Sequence, residues 1–155
     1  MRPGGAAVKV LFDTNVIVDV WTRSSDFAAS FAALDVAMIR GFEPLIAATM
    51  APDFVYLLSA RSSLTRAQAR KAFGDLLELF GVIDVTQGDC RRAYESDMPD
   101  LEDAFIAYAA QRNGVDLIVT RNKRDFASSP VAALAPQEFV VSYKPADVAF
   151  GEVTL

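Results

Sequence analysis

Short apolar runs with little polar alternation recur along this chain, separated by longer stretches of helical periodicity. That alternation restricts the fold more than any other feature. Val8-Lys9-Val10-Leu11-Phe12 reads as a strand buried on both faces, which is the habit of parallel sheets. Pro44-Leu45-Ile46-Ala47, Val82-Ile83-Asp84-Val85 and Asp116-Leu117-Ile118-Val119 repeat the pattern. Thr14 and Asn15 can cap a short helix from Val16 to Trp21. Ser24-Ser25-Asp26 signals a second, running to about Arg40 with Phe27, Phe31, Leu34 and Met38 as its apolar face, and Gly41 stops it. Thr49 to Ala60 reads as helix with Pro52 in its first turn and Phe54, Val55 and Leu58 turned inward. Thr65-Arg66-Ala67-Gln68 has capping-box spacing and opens a helix to about Phe80, striped by Phe73, Leu76, Leu77 and Phe80. A weaker helix spans Asp89 to Glu95. Asp100 caps a strong one through Arg112, ended by Asn113-Gly114. Ala135-Pro136-Gln137-Glu138-Phe139 begins a last helix. Strands alternating with helices give a three-layer α/β/α sandwich around a central, mainly parallel sheet.

At 155 residues the chain reads as a single domain over 8–143, with a loose N-terminal end at 1–7 and a tail at 144–155. No apolar stretch reaches the ~18 residues of a membrane span, and Met1 to Ala7 lacks a signal-peptide core, so a cytoplasmic protein is expected. Hydrophobic content of 52% suits a sheet covered on both faces, or an oligomer with an apolar interface.

The chain contains no histidine and a single cysteine, Cys90. Imidazole bases, Ser-His-Asp and Cys-His catalysis, zinc clusters and internal disulfides are thereby excluded. Catalysis must rest on carboxylates, hydroxyls, amides and basic side chains, which as ligands favour hard cations, Mg²⁺ or Mn²⁺. A net charge of -5 argues against a nonspecific nucleic-acid coat protein. It leaves room for a nuclease whose acids face metal, with basic clusters such as Arg121/Lys123/Arg124 at the rim.

Asp13 closes an apolar strand, and an ionisable group there needs a partner. Both Asp13 and Thr120 follow strands, so both belong at the carboxyl edge of a parallel sheet, where such folds place their sites. Asp103 falls in the first turn of its helix, and Asp100 lies about 60° from it around the axis. Gathered carboxylates repel one another, and a divalent ion removes that cost. Simpler readings exist for single residues: Asp100 as a helix cap, Asp103 as a dipole-favoured surface residue, and Asp125 as the cap of a short turn.

At these residues the chain resembles the PIN-domain family of metal-dependent ribonucleases over nearly its whole length. Leu11-Phe12-Asp13-Thr14-Asn15-Val16-Ile17-Val18-Asp19 is similar to that family's first strand and acidic residue, Asp13. Asp100-Leu101-Glu102-Asp103-Ala104-Phe105-Ile106-Ala107 resembles its third acidic motif, carrying Asp103. Ile118-Val119-Thr120-Arg121-Asn122-Lys123-Arg124-Asp125-Phe126 resembles its fourth-strand motif, and Ala135-Pro136-Gln137-Glu138-Phe139 its C-terminal segment. Two positions depart from the pattern: Asp53 stands where a Glu is usual, and Asn122 where an Asp is common, with Asp125 the poorer candidate to replace it.

The resemblance implies a Mg²⁺- or Mn²⁺-dependent endoribonuclease, the toxin of a toxin–antitoxin pair, forming a homodimer and silenced by a small antitoxin protein. It assigns Asp13 and Asp103 as metal ligands with Asp100 as an outer ligand. Asp53 ligates or positions the attacking water, and Asn122 with Thr120 holds the geometry. Thr14, Asn15 and Thr120 contact the RNA substrate, and Arg121 and Lys123 its phosphates. The departures at Asp53 and Asn122 motivate an alternative, a catalytically weak PIN-like module that binds RNA or protein. An aspartyl phosphatase would need a second Asp at position 15, where this chain has Asn15.

Overall fold

In the computed structural model residues 5–149 are described; residues 1–4 of the expected N-terminal end and 150–155 of the expected tail lie outside them. Five parallel strands form one sheet in the order β3-β2-β1-β4-β5. They are β1 (Lys9–Phe12), β2 (Glu43–Ala47), β3 (Gly81–Ile83), β4 (Leu117–Val119) and β5 (Ala133–Leu134). Seven α-helices among the described residues flank them: α1 (Thr14–Thr22), α2 (Phe27–Ile39), α3 (Met50–Arg61), α4 (Arg66–Leu79), α5 (Gln87–Tyr94), α6 (Leu101–Arg112) and α7 (Pro136–Tyr143). This is the expected α/β/α sandwich, with all strand pairs parallel. No helix among the described residues is long and apolar enough to cross a membrane.

The order of the strands determines where a site can form. From β1 the chain builds outward to β2 and β3, then returns to lay β4 on the other side of β1. The boundary between β1 and β4 is therefore the topological switch point, where loops leave in opposite directions and open a crevice. Register pairs Phe12 with Val119, so the residues that follow, Asp13 and Thr120, emerge side by side. In a parallel α/β unit the helices run against the strands, which brings the N-termini of α1, α3 and α6 to the same edge.

β1 and β4 are buried by helices on both faces, with Val10, Leu11, Phe12, Ile118 and Val119 fully covered. Small residues let α6 approach closely, since Ala104, Ala107 and Ala110 are all buried. Gly114 then breaks the helix at φ 66, the left-handed position that favours glycine. Pro136 opens α7, whose Phe139 reaches the centre and meets Phe12 and Phe42 edge-on, ring centroids 6.3 Å apart in each case.

Several expectations are corrected by packing. The apolar stripe of α2 does not face inward throughout, because Phe31 and Met38 are exposed, at 45% and 47%. The buried face is instead Ala29, Ala32, Ala33, Val36 and Ala37 with Leu34: α1 and α7 press on this helix so closely that small side chains fit best. Likewise Leu77 of α4 is exposed while Ala69 and Leu76 are buried. Helix α1 begins two residues earlier than expected, capped by Asp13 itself. Asp89 lies inside α5, as the third residue of a capping box led by Thr86. β5 is too short to carry a periodic signal and was not expected.

Candidate metal centre

Asp13 is 5% exposed, and each carboxylate oxygen has a partner. Oδ1 accepts from the Thr14 backbone N–H at 2.7 Å, which caps α1. Oδ2 accepts from the Thr120 hydroxyl at 2.8 Å. That hydroxyl in turn accepts from the Asn122 N–H at 3.0 Å. Burial pushes the Asp13 carboxyl above the ordinary carboxylate range, opposed by the Thr120 and Thr14 hydrogen bonds and the charge of Arg121, and reinforced by repulsion from Asp100.

Asp100 caps α6, accepting from the Asp103 N–H at 2.9 Å. Carboxylate oxygens of Asp100, Asp103 and Asp125 all lie within 4.8 Å of one another. The Asn122 amide bridges two of them, donating to Asp125 at 2.6 Å and to Asp103 at 3.2 Å. Asp103 is pushed up to about 7, first by burial and then by repulsion from Asp13, Asp100 and Asp125, with Asn122 opposing. A carboxylate held so near neutrality lacks a countercharge. Three hard anionic oxygens close together, beside the buried carboxylate of Asp13, fit a hard divalent cation.

Asp13, Asp103 and Asn122 line a single cleft of about 500 Å³ together with Thr14, Asn15 and Asp53. Asp53 occupies the first turn of α3 and is exposed on the cleft wall, outside the close group of three acids. Asp125 stands inside that group, so the one-turn 3₁₀ helix at Lys123–Phe126 delivers an acid that the sequence reading had ranked behind Asn122. The two are not alternatives, because Asn122 holds Asp125 in place.

The basic residues of the loop turn elsewhere. Arg121 Nε lies 2.8 Å from Asp19 Oδ2, and its Nη1 donates to Asp26 at 3.1 Å. Lys123 Nζ donates to Glu138 at 2.8 Å. Neither residue lines the cleft, and each is held in an ion pair within the fold. Thr120 is fully buried and acts on Asp13 rather than on a ligand in the cleft.

Asp19 holds the loop cation Arg121, a role that the sequence does not reveal. It is 1% exposed in the middle of α1, and accepts from Ser24 at 2.6 Å and Ser30 at 2.9 Å besides pairing with Arg121. An Asp inside Val16-Ile17-Val18-Asp19-Val20 carried the same signal as Asp13, an ionisable group in an apolar run. Its partner, a hundred residues away, carried none.

A parallel α/β sheet with acids from separate elements meeting at its switch point defines a class of protein with an open, acidic cleft whose residues could hold a divalent cation. The chain belongs to the PIN-domain family, whose model matches residues 9–124. Solved structures share the fold at low identity. A toxin-antitoxin complex from Klebsiella pneumoniae aligns with a TM-score of 0.62 and 22% identity, covering 83% of this chain and 98% of that one. VapBC2 from Rickettsia felis, bound to a DNA fragment from its promoter, gives 0.62 and 18%, with coverages of 83% and 98%. PAE2754 from Pyrobaculum aerophilum gives 0.59 and 17%, with 90% and 92%. A search of curated proteins found no match.

Proposed function

We propose that this protein is a Mg²⁺- or Mn²⁺-dependent endoribonuclease and the toxin of a toxin–antitoxin pair. The observation that carries the reading is the convergence of Asp100, Asp103 and Asp125 within 4.8 Å, next to the buried Asp13, in a chain of the PIN-domain family. Asp103, Asp125 and Asp13 would hold the ion, with Asp100 as cap and outer ligand. When bound, such an ion offsets the repulsion among the carboxylates and acts as a Lewis acid toward phosphate and water.

The chain's own residues then divide the remaining work. Thr120 and the Thr14 N–H fix the Asp13 carboxylate, and Asn122 fixes Asp103 and Asp125. Asp53, which lines the same cleft, would position the attacking water and take its proton. Thr14 and Asn15 line the same cleft and offer hydrogen bonds to substrate.

RNA as substrate rests on the family resemblance. An antitoxin partner is supported by the neighbours described as toxin-antitoxin complexes. A homodimer is supported by the exposed Phe31 and Met38 on α2, apolar area that a second chain would cover. The cytoplasm is where such an enzyme meets RNA and antitoxin together.

The test is cleavage of a mixed single-stranded RNA pool with Mn²⁺, with Mg²⁺ and with chelator, beside Asp13→Asn and Asp103→Asn. Metal-dependent cutting lost in both variants is expected. Folded protein that neither cuts nor binds Mn²⁺ would leave the PIN-like binding module as the better reading.

A further inference from the structure

Each wall of the cleft pairs a carboxylate with an aromatic ring one helical turn away. On α3, Asp53 is followed by Tyr56; on α6, Glu102 is followed by Phe105, and all four line the cleft. Side chains three residues apart share a helix face, so each ring stands beside its acid. The rings differ in burial. Phe105 packs partly against the core, whereas Tyr56 is 70% exposed. Exposure alone does not single it out, since Tyr94 on α5 is 80% exposed. Tyr94 lies away from the cleft, and among the described residues only Tyr56 sets a freely exposed ring beside the acids.

The electrostatics of the cleft give that ring a purpose. Among the described lining residues there is no Lys or Arg, while Asp13, Asp53, Glu102 and Asp103 are all acidic. Of the loop cations, Arg121 is held by Asp19 and Asp26, and Lys123 by Glu138. A polyanion entering here therefore meets no cationic side chain among these lining residues. Stacking on an aromatic face does not depend on charge, and every base has such a face.

Building on the nuclease reading of this cleft, we infer that Tyr56 is a stacking platform for an unpaired base beside the scissile phosphate. In a duplex both faces of a base are covered by its neighbours, and only a splayed base presents one to a side chain. A cleft of about 500 Å³ has the volume of a small-molecule site, which suits a nucleotide better than a helix.

The experiment compares wild type with Tyr56→Ala, Tyr56→Phe and Tyr94→Ala on one oligoribonucleotide carrying a fluorescent base analogue, single-stranded or annealed to its complement. Cleavage and binding are both followed with Mn²⁺ present, and thermal melts confirm folding of these surface variants. Wild type should cut the single strand and spare the duplex. Tyr56→Ala should raise KM about tenfold or more with kcat little changed, and abolish quenching of the analogue. Tyr56→Phe and Tyr94→Ala should behave as wild type. An unchanged KM in Tyr56→Ala, or equal cutting of the duplex, overturns the inference while leaving the nuclease standing, and gives the ring to a protein-binding surface. Folded wild type that neither binds nor cuts the oligonucleotide overturns the nuclease reading and this inference with it.

Discussion

The hydroxyl of Thr120 donates to the Asp13 carboxylate at 2.8 Å, joining two residues 107 positions apart. It also accepts from the Asn122 N–H, so one oxygen links the first strand's acid to the loop that orders Asp103 and Asp125. Thr120→Val removes both functions inside a fully buried site. It should cost about 1–3 kcal/mol of stability, the penalty for leaving buried polar partners unsatisfied. Mn²⁺ affinity should fall at least tenfold, while Thr120→Ser keeps both. Calorimetry of metal binding checks this, and unchanged affinity in Thr120→Val would show that the hydroxyl serves the fold alone.

Asp103 gives the metal-free protein a pH dependence of defined sign. Its carboxyl is raised to about 7 by burial and by its acidic neighbours. An Asp in the unfolded chain titrates near about 3.9, so between these values the folded protein holds a proton that the unfolded chain has released. Stability from this group therefore falls as pH rises from about 4 to about 7, and the full penalty remains above that. Asp103→Asn should melt higher than wild type in chelator at about pH 8, with the difference closing toward about pH 5. Added Mn²⁺ should raise the wild-type Tm and leave the variant's unchanged. A Tm difference independent of pH would contradict the assignment.

Arg121 is held by the buried Asp19, which separates a structural role from a phosphate contact. Arg121→Ala strands that carboxylate with two serine hydroxyls and should destabilise the fold by about 3–5 kcal/mol. Asp19→Asn should cost less, because Arg121 is 34% exposed and keeps Asp26. If Arg121 instead contacted phosphate, its removal would lower the salt dependence of RNA binding by about one ion. Denaturant melts and a salt titration, run on the same variants, distinguish the two.

A third buried carboxylate, Asp89, ties α5 to α6. It is fully buried and pairs with Arg92 at 2.6 Å and with Arg112, which also reaches Asp84. Burial alone would raise its pKa, but Arg112, Thr86 and Arg92 together hold it well below the carboxylate range. Its contribution is therefore present above about pH 4 and is lost as pH falls below the unfolded value. Asp89→Asn should destabilise by about 3–5 kcal/mol near neutrality and show a shallower loss of Tm in acid than wild type.

The fold was largely legible because its strands are buried on both faces and its helices carry caps. Thr65-Gln68 and Asp100 mark helix starts through chemistry that is local in sequence, and the structure shows both. The inward face of α2 was not legible, since a helix apolar all round gives no direction, and close packing against α1 and α7 selects its alanines over Phe31 and Met38. At the site, Asp13, Asp100 and Asp103 announced themselves by position, as acids closing a strand or opening a helix. Asp125 did not, because its approach to Asp103 depends on a single 3₁₀ turn after β4. The occupation of Arg121 and Lys123 was equally hidden, since their partners Asp19 and Glu138 sit on other elements.

The return of the chain from β3 to lay β4 beside β1 has a consequence during synthesis. Thr120, Asn122 and Asp125, which complete the surroundings of Asp13, are made more than a hundred residues after it. No shorter nascent chain can assemble the acidic centre, because half of it has yet to be made. The acidic centre of this PIN-domain chain is therefore incomplete until β4 and the turn after it are in place.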